Sequence, residues 1–239
     1  MIPKTIHYCW FGKGAMPDLA KRCIASWHEH MPDYEFKYWS EDNFDLGMNA
    51  YAEEAYKVHK FAFVSDYLRL WVLEQEGGIY LDTDVEVFKP FDDLLVYKAF
   101  AGFEGSKHLP VGTCVMASEA HGVWVSEQLE AYRDRHFMKA DGSPDMTTNV
   151  QFITARMCED GFVPNGVEQN YKDLHVFPVD YFSPRHTTGE YLLTDNTYCD
   201  HLGLGTWDDR RRGLKARVAM FLGAKTAARL IKLKRSLFG

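Results

Sequence analysis

Apolar and polar positions along the chain alternate between strand-like and helix-like spacing. Thr5–Trp10 is a β-branched and aromatic run closed by Phe11-Gly12, and it predicts an opening strand. Met16-Pro17-Asp18 starts a helix, with proline tolerated in the first turn. Leu19, Cys23 and Trp27 repeat every four residues and predict one buried face. Tyr34–Trp39 predicts the second strand, and Ser40 is placed to cap the segment after it. Helical spacing then runs from about Lys60 to Glu76 through Val64, Leu68, Trp71, Val72 and Gln75, until Gly77-Gly78 stops it. Ile79-Tyr80-Leu81 predicts a brief strand, Asp82-Thr83-Asp84 comes next, and Val85–Phe88 is extended again up to Lys89-Pro90. Further on, Ala99–Phe103, Cys114–Ala117, Leu174–Val179 and Thr197–His201 predict strands, while Val123–His136 and Thr148–Cys158 predict helices. Strands alternating with helices imply an α/β sheet covered by helices.

Length narrows the organisation. A chain of 239 residues fits one mixed domain and needs no disulfides to fold. With 46% hydrophobic residues and a mean hydropathy of -0.33, it reads as soluble and globular. Its aromatic content, 15%, fits stacking on sugars or bases and fits large cores equally well. Cys9, Cys23, Cys114, Cys158 and Cys199 are odd in number and lack a C-x-x-C pair, so neither a disulfide framework nor a zinc knuckle is expected. Reduced thiols, no signal-like start and no apolar run of about 18 residues point to a cytoplasmic setting. The net charge of -7 conceals an asymmetry: from Arg210 onward there are ten Lys/Arg and no Asp/Glu, leaving 17 basic against 34 acidic residues in the rest. We therefore expect a main domain over 1–209 and a separate basic amphipathic helical tail over 210–239.

The acidic pair carries the candidate chemistry. A strand ending in Asp-x-Asp places carboxylates at the edge where open α/β sheets bind ligands, and an alternating pleat would point Asp82 and Asp84 to one side. Two hard oxygen donors suit Mg²⁺ or Mn²⁺, although most Asp-x-Asp occurrences are solvated turns. Upstream, Asp66 and Arg69 stand at i and i+3 on an otherwise apolar helix, which predicts a partly buried pair rather than a surface one.

Phe63-Val64-Ser65-Asp66-Tyr67-Leu68-Arg69-Leu70 followed by Glu76-Gly77-Gly78-Ile79-Tyr80-Leu81-Asp82-Thr83-Asp84 resembles the DxD glycosyltransferase family. That family includes capsular-polysaccharide sugar transferases and yeast initiating α-mannosyltransferases, and its core is similar to that of clostridial glucosylating toxins. The opening Ile2–Gly12 and the later Thr197–His201 and Thr206-Trp207 resemble its first strand and its last conserved block. The resemblance implies a GT-A fold, a nucleotide-sugar donor (a UDP-sugar by preference), Mn²⁺ or Mg²⁺, and retention of anomeric configuration. It also implies residue roles. Asp84 would be the direct metal ligand and Asp82 would meet donor and ion. Asp66 and Arg69 would hold the donor sugar, beside Ser65. Tyr80 would line the pocket and Trp10 would stack on the base. His201 would be a late metal or diphosphate ligand, and Trp207, with Thr206 beside it, would donate to the β-phosphate. The late block departs from the family pattern, and Asp200 rivals His201 as the ligand.

A saccharide or lipid-linked saccharide acceptor in cell-surface polysaccharide synthesis is implied by the same resemblance; a catalytically inactive nucleotide-sugar-binding module of the same fold is the alternative. The tail places Leu214, Val218, Phe221 and Leu222 on one helical stripe among basic residues. That pattern suits an anionic membrane surface or a helix docked on the acidic body. Nucleic-acid binding is not expected, since no supporting motif accompanies the basic tail.

Overall fold

A computed structural model of the protein describes residues 1–105, 110–184 and 192–203. The elements in chain order are β1 (Thr5–Cys9), α1 (Asp18–His30), β2 (Glu35–Trp39), α2 (Ala50–Lys57), α3 (Phe61–Glu76), β3 (Gly78–Leu81), β4 (Val85–Val87), β5 (Ala99–Phe103), β6 (Val111–Ser118), α4 (Val123–Glu130), α5 (Asn149–Glu159), β7 (Gln169–Tyr171), β8 (Leu174–Phe177), α6 (Val179–Phe182) and β9 (Cys199–His201).

Seven strands form one mixed sheet in the order β2-β1-β3-β6-β5-β8-β7, and β4 and β9 form a separate two-stranded ribbon. β1 runs parallel to both β2 and β3, while β6 enters antiparallel between β3 and β5. The sheet is buried on both faces, so its central strands are continuously apolar. Ile6, Ile79, Leu81 and Phe100 face Trp27 of α1, Met31 just past its end, and Phe182 of α6. Tyr80, Ala99, Ala101 and Met116 face the opposite way, into a larger core with α2, α3, α4 and α5. The expected α/β sandwich is therefore present.

α3 occupies the predicted span almost to the residue, but Gln75 is exposed and Trp71 only half-buried, while Phe63, Tyr67, Leu70 and Leu73 join the buried set. Its end is set by geometry that other residues resist. Gly77 has φ +68°, and a Cβ there would lie 2.7 Å from the amide nitrogen of Ala120. At Gly78, φ is +102° and a Cβ would lie 2.7 Å from the Thr5 carbonyl oxygen. The helix thus turns directly into β3 beside β1.

Elsewhere the elements depart from the expected boundaries. α4 ends at Glu130 rather than His136 because tertiary contacts take the chain over. Glu54 of α2 accepts from the amides of Phe137 and Met138, both at 2.9 Å, and Arg135 lies against the rings of Tyr51, Tyr132 and Phe152 while pairing with Asp145. Ser40 does not cap a helix: its hydroxyl accepts from the Asp42 amide inside a turn. α2, which the periodicity does not announce, is capped instead by Asn49, whose side chain accepts from Ala52 N. All five cysteines are free thiols. No helix among the described residues is long and apolar enough to cross a membrane. The boundary near residue 209, the tail over 210–239, and Thr206 and Trp207 lie outside the described residues.

Candidate active site

Arg69 organises one wall of the site. It projects from α3, is 3% exposed, and meets two carboxylates with one guanidinium nitrogen: Nη2 lies 3.1 Å from Asp66 Oδ1 and 3.2 Å from Asp82 Oδ1. Nη1 donates to the Thr113 carbonyl at 2.6 Å, and Nε donates to the Ser65 carbonyl at 3.1 Å. The guanidinium also covers the Tyr80 ring, 4.7 Å from its centroid. Burial opposes its charge, but Asp82, Tyr80 and Asp66 outweigh that and hold its pKa well above the ordinary value. For Asp66 the balance tips the other way: burial pushes its carboxyl up to about 6, with Arg69 pulling against it. The pair predicted from i, i+3 spacing is therefore buried and tied to the acidic motif.

The Asp82–Asp84 segment is a turn rather than the pleated strand end expected from sequence. The Asp82 amide donates to the Cys114 carbonyl at 2.9 Å, and the Val85 amide donates back to the Asp82 carbonyl at 3.0 Å. The turn still brings the carboxylates together, because β4 pairs with β9 in a register that sets Val85 opposite His201. Leu202 N donates to the Asp84 carbonyl at 2.9 Å, and His201 Nε2 lies 3.3 Å from Asp84 Oδ1. α1 steadies this ribbon from below, since Trp27 Nε1 donates to the Val85 carbonyl at 2.7 Å. Ligand atoms of Asp82, Asp84 and His201 all lie within 4.8 Å of one another. Two carboxylates and an imidazole form a donor set that fits a hard divalent cation such as Mn²⁺ or Mg²⁺. Burial works against the His201 charge, but Asp84 raises its pKa well above the ordinary range. Asp200 is fully buried and does not border the cleft, whereas His201 does.

These groups open into one cleft of about 710 Å³, which Trp10, Ser65, Asp66, Arg69, Tyr80, Asp82, Asp84 and His201 all border. Trp10 is half-buried at the rim, its indole donating to the Gly14 carbonyl at 2.8 Å. The Ser65 hydroxyl is already engaged, donating to the Ala62 carbonyl at 2.6 Å and accepting from Arg69 at 3.1 Å. Tyr80 is 1% exposed and supports Arg69 from beneath more than it lines open space. Thr148 and Gln151 form a capping box on α5. Asn149, buried behind them, accepts from the Tyr132 hydroxyl at 3.0 Å and donates to the Asp66 carbonyl at 3.5 Å.

Glu104 is the residue that sequence reasoning passed over. It lies just after β5, where nothing in the neighbouring sequence marks it, and only the fold carries it to within 4.8 Å of His201 and Cys114 by their ligand atoms. Burial raises its pKa, and the nearby Asp82 and Asp84 charges add to the effect while His201 and Arg69 oppose it.

The chain is similar in sequence and in fold to known proteins. Residues 17–101 match the family described as the glycosyltransferase sugar-binding region containing DXD motif. Over 130 residues the chain is 31% identical to glucan organizing enzyme 1 of Cryptococcus neoformans, covering 50% of this chain and 36% of that protein. Over 107 residues it is 29% identical to inositol phosphoceramide mannosyltransferase 3 of Schizosaccharomyces pombe, covering 41% of this chain and 29% of that protein. The chain thus spans about a third of the length of these curated relatives. Among solved structures, the PaToxG glycosyltransferase superposes with a TM-score of 0.51 at 19% identity, covering 67% of this chain and 70% of that one, which establishes the shared fold.

Proposed function

We propose, from the match of residues 17–101 to the glycosyltransferase sugar-binding region containing DXD motif, that the chain moves a sugar from a nucleotide-sugar to a saccharide or lipid-linked saccharide acceptor. The observation that carries the proposal is the convergence of two charge clusters on one cleft. Arg69 bridges Asp66 and Asp82 at 3.1 and 3.2 Å, and Asp82 in turn belongs to the set with Asp84 and His201.

In this reading Asp82, Asp84 and His201 hold the cation, Mn²⁺ or Mg²⁺. A bound divalent ion there neutralises charge on the donor diphosphate as the sugar–phosphate bond breaks. The chain's own residues orient the donor. Asp66, aimed by Arg69, accepts from donor-sugar hydroxyls, and the buried guanidinium keeps the acidic wall from repelling an anionic ligand. Trp10 at the rim gives the base an aromatic face. The C1–O bond to the diphosphate breaks and the acceptor hydroxyl bonds to C1 on the same face. The acceptor proton passes to the leaving diphosphate, so that configuration is retained. A UDP-sugar is the favoured donor, on the family resemblance.

Asp84→Ala is expected to abolish Mn²⁺-dependent release of UDP from UDP-sugars by at least two orders of magnitude, about 3 kcal/mol of transition-state stabilisation. Undiminished release would remove the assignment. Proton NMR of the product tests stereochemistry: the anomeric coupling of the donor should reappear, and an inverted anomer would reject same-face transfer. The basic tail over 210–239 extends the proposal to a cytoplasmic enzyme resting on anionic lipid. Flotation with phosphatidylserine vesicles should fall when the chain is ended at Asp209, and equal flotation would reject that role.

A further inference from the structure

His201 stands between two ligand sets. On one side are Asp82 and Asp84; on the other, Glu104 and Cys114, whose carboxylate oxygen and Sγ form with the imidazole a second group with all ligand atoms within 4.8 Å of one another. The two groups differ in chemistry. Carboxylates with one imidazole suit hard cations, whereas a thiolate, an imidazole and a carboxylate are the donors that a thiophilic ion takes in tetrahedral sites.

We propose that Glu104, Cys114 and His201 form a second cation site, selective for a thiophilic divalent ion of the Zn²⁺ class, which competes with the Asp82/Asp84 cation around the shared His201. Three protein ligands leave a fourth position open toward the cleft, where water or a diphosphate oxygen completes the tetrahedron.

The fold prepares Cys114 and Glu104 independently of the acidic turn, which supplies only the His201 contact. Cys114 sits in the middle of β6, 3% exposed, between rigid neighbours, and Glu104 leaves the end of β5 on the adjacent strand. Room for the Glu104 carboxylate comes from Gly112, where a Cβ would lie 2.9 Å from Glu104 Oε2. Glu104 is half-buried and borders the cleft, so its carboxylate can meet an ion that enters there. Binding replaces the Cys114 S–H bond with a sulfur–metal bond and releases the thiol proton to solvent. Two divalent cations held around one imidazole repel each other at close range, so occupation of one site weakens the other by the same factor, as linkage requires.

The consequence for the proposed reaction is inhibition by Zn²⁺ that excess Mn²⁺ relieves. It rests on the transferase reading only for its meaning, and the test needs no sugar nucleotide. In full-length protein carrying Cys158→Ser, which removes the exposed thiol, Co²⁺ is titrated and monitored by absorbance. A thiolate-to-cobalt band in the near ultraviolet, with intensified visible bands of tetrahedral Co²⁺, should saturate at one equivalent. Cys114→Ser and Cys114→Ala should each lose the ultraviolet band. Glu104→Gln should weaken binding roughly 10–100-fold, and Asp84→Ala should retain the band. Zn²⁺ added to Mn²⁺-loaded protein should release Mn²⁺, detected by its electron paramagnetic resonance signal. Absence of the ultraviolet band, its survival in both folded Cys114 variants as judged by circular dichroism, or simultaneous binding of Zn²⁺ and Mn²⁺ would each overturn the proposal.

Discussion

Replacing Arg69 with methionine separates the scaffold role of this residue from its ligand role. The side chain is buried and holds two carboxylates, a main-chain carbonyl and Ser65. Methionine keeps much of the volume but leaves Asp66 as an uncompensated buried charge, which typically costs about 3–5 kcal/mol. A ceiling is set by proton chemistry. Asp66 already has a pKa raised to about 6 by burial against Arg69's pull, and it will take up a proton once the cation is gone. Protonating it from there at pH 7 costs about 1.4 kcal/mol, which caps what the stranded charge adds, and leaving the Thr113 carbonyl unpaired adds about 1–3 kcal/mol. Asp82, at 24% side-chain exposure, can be partly solvated and adds less. At about 2–4 °C per kcal/mol for a chain of this size, the melting temperature of metal-free protein should fall by roughly 5–18 °C. Adding Asp66→Asn to Arg69→Met removes the stranded charge and should recover roughly a third to a half of the drop, while donor binding stays lost in both variants. Thermal melting monitored by circular dichroism reads the first effect, and calorimetric titration with UDP reads the second. A melting temperature within about 2 °C of the parent, or no recovery in the double variant, would refute the view that Arg69 neutralises a buried acidic wall.

Three other expectations come from the same geometry. Because the folded Asp66 binds its proton more tightly than the unfolded chain, it opposes folding as pH rises from about 4 to about 6; metal-free wild-type protein should lose up to about 3 kcal/mol relative to Asp66→Asn across that window, read by urea unfolding at fixed pH steps. Gly77→Ala should destabilise by roughly 1–3 kcal/mol, since alanine must accept φ +68° and crowd the Ala120 amide, and chemical denaturation would show it as a lowered midpoint. Trp27→Phe should cost about 1–3 kcal/mol by stranding the buried Val85 carbonyl, and it should weaken Mn²⁺ binding as well, because that carbonyl anchors the ribbon carrying Asp84 and His201.

Legibility in the sequence depends on range. α3 and its stop at Gly77-Gly78 arise from local helical spacing and glycine conformation, and the structure places them where expected. The Asp66–Arg69 pair is legible because i, i+3 spacing on an apolar helix constrains both side chains at once. The route to the acidic cluster is not. A pleat would align Asp82 with Asp84, whereas a turn and the long-range β4–β9 register do so. That register also separates His201 from Asp200, an alternation visible in sequence but without a direction. α4 is shorter than its pattern predicts: Val123–His136 has helical spacing throughout, yet Glu54 and the aromatic seat of Arg135 bend its second half into turns. Glu104 carries no signal in the sequence. It gains meaning only when β5 and β6 pair and bring it to Cys114 and His201, ten and 97 residues away along the chain.

The proposed chemistry depends first on Asp82, Asp84 and His201 gripping a cation that carries a donor's diphosphate. Calorimetric titration of UDP and of GDP, with and without saturating Mn²⁺, tests this in wild-type protein and in Asp84→Ala. We expect Mn²⁺ to tighten binding of at least one nucleotide about tenfold or more, about 1.4 kcal/mol of coupling, and Asp84→Ala to erase the gain. Equal affinity with and without Mn²⁺, or coupling that survives in Asp84→Ala, would contradict it.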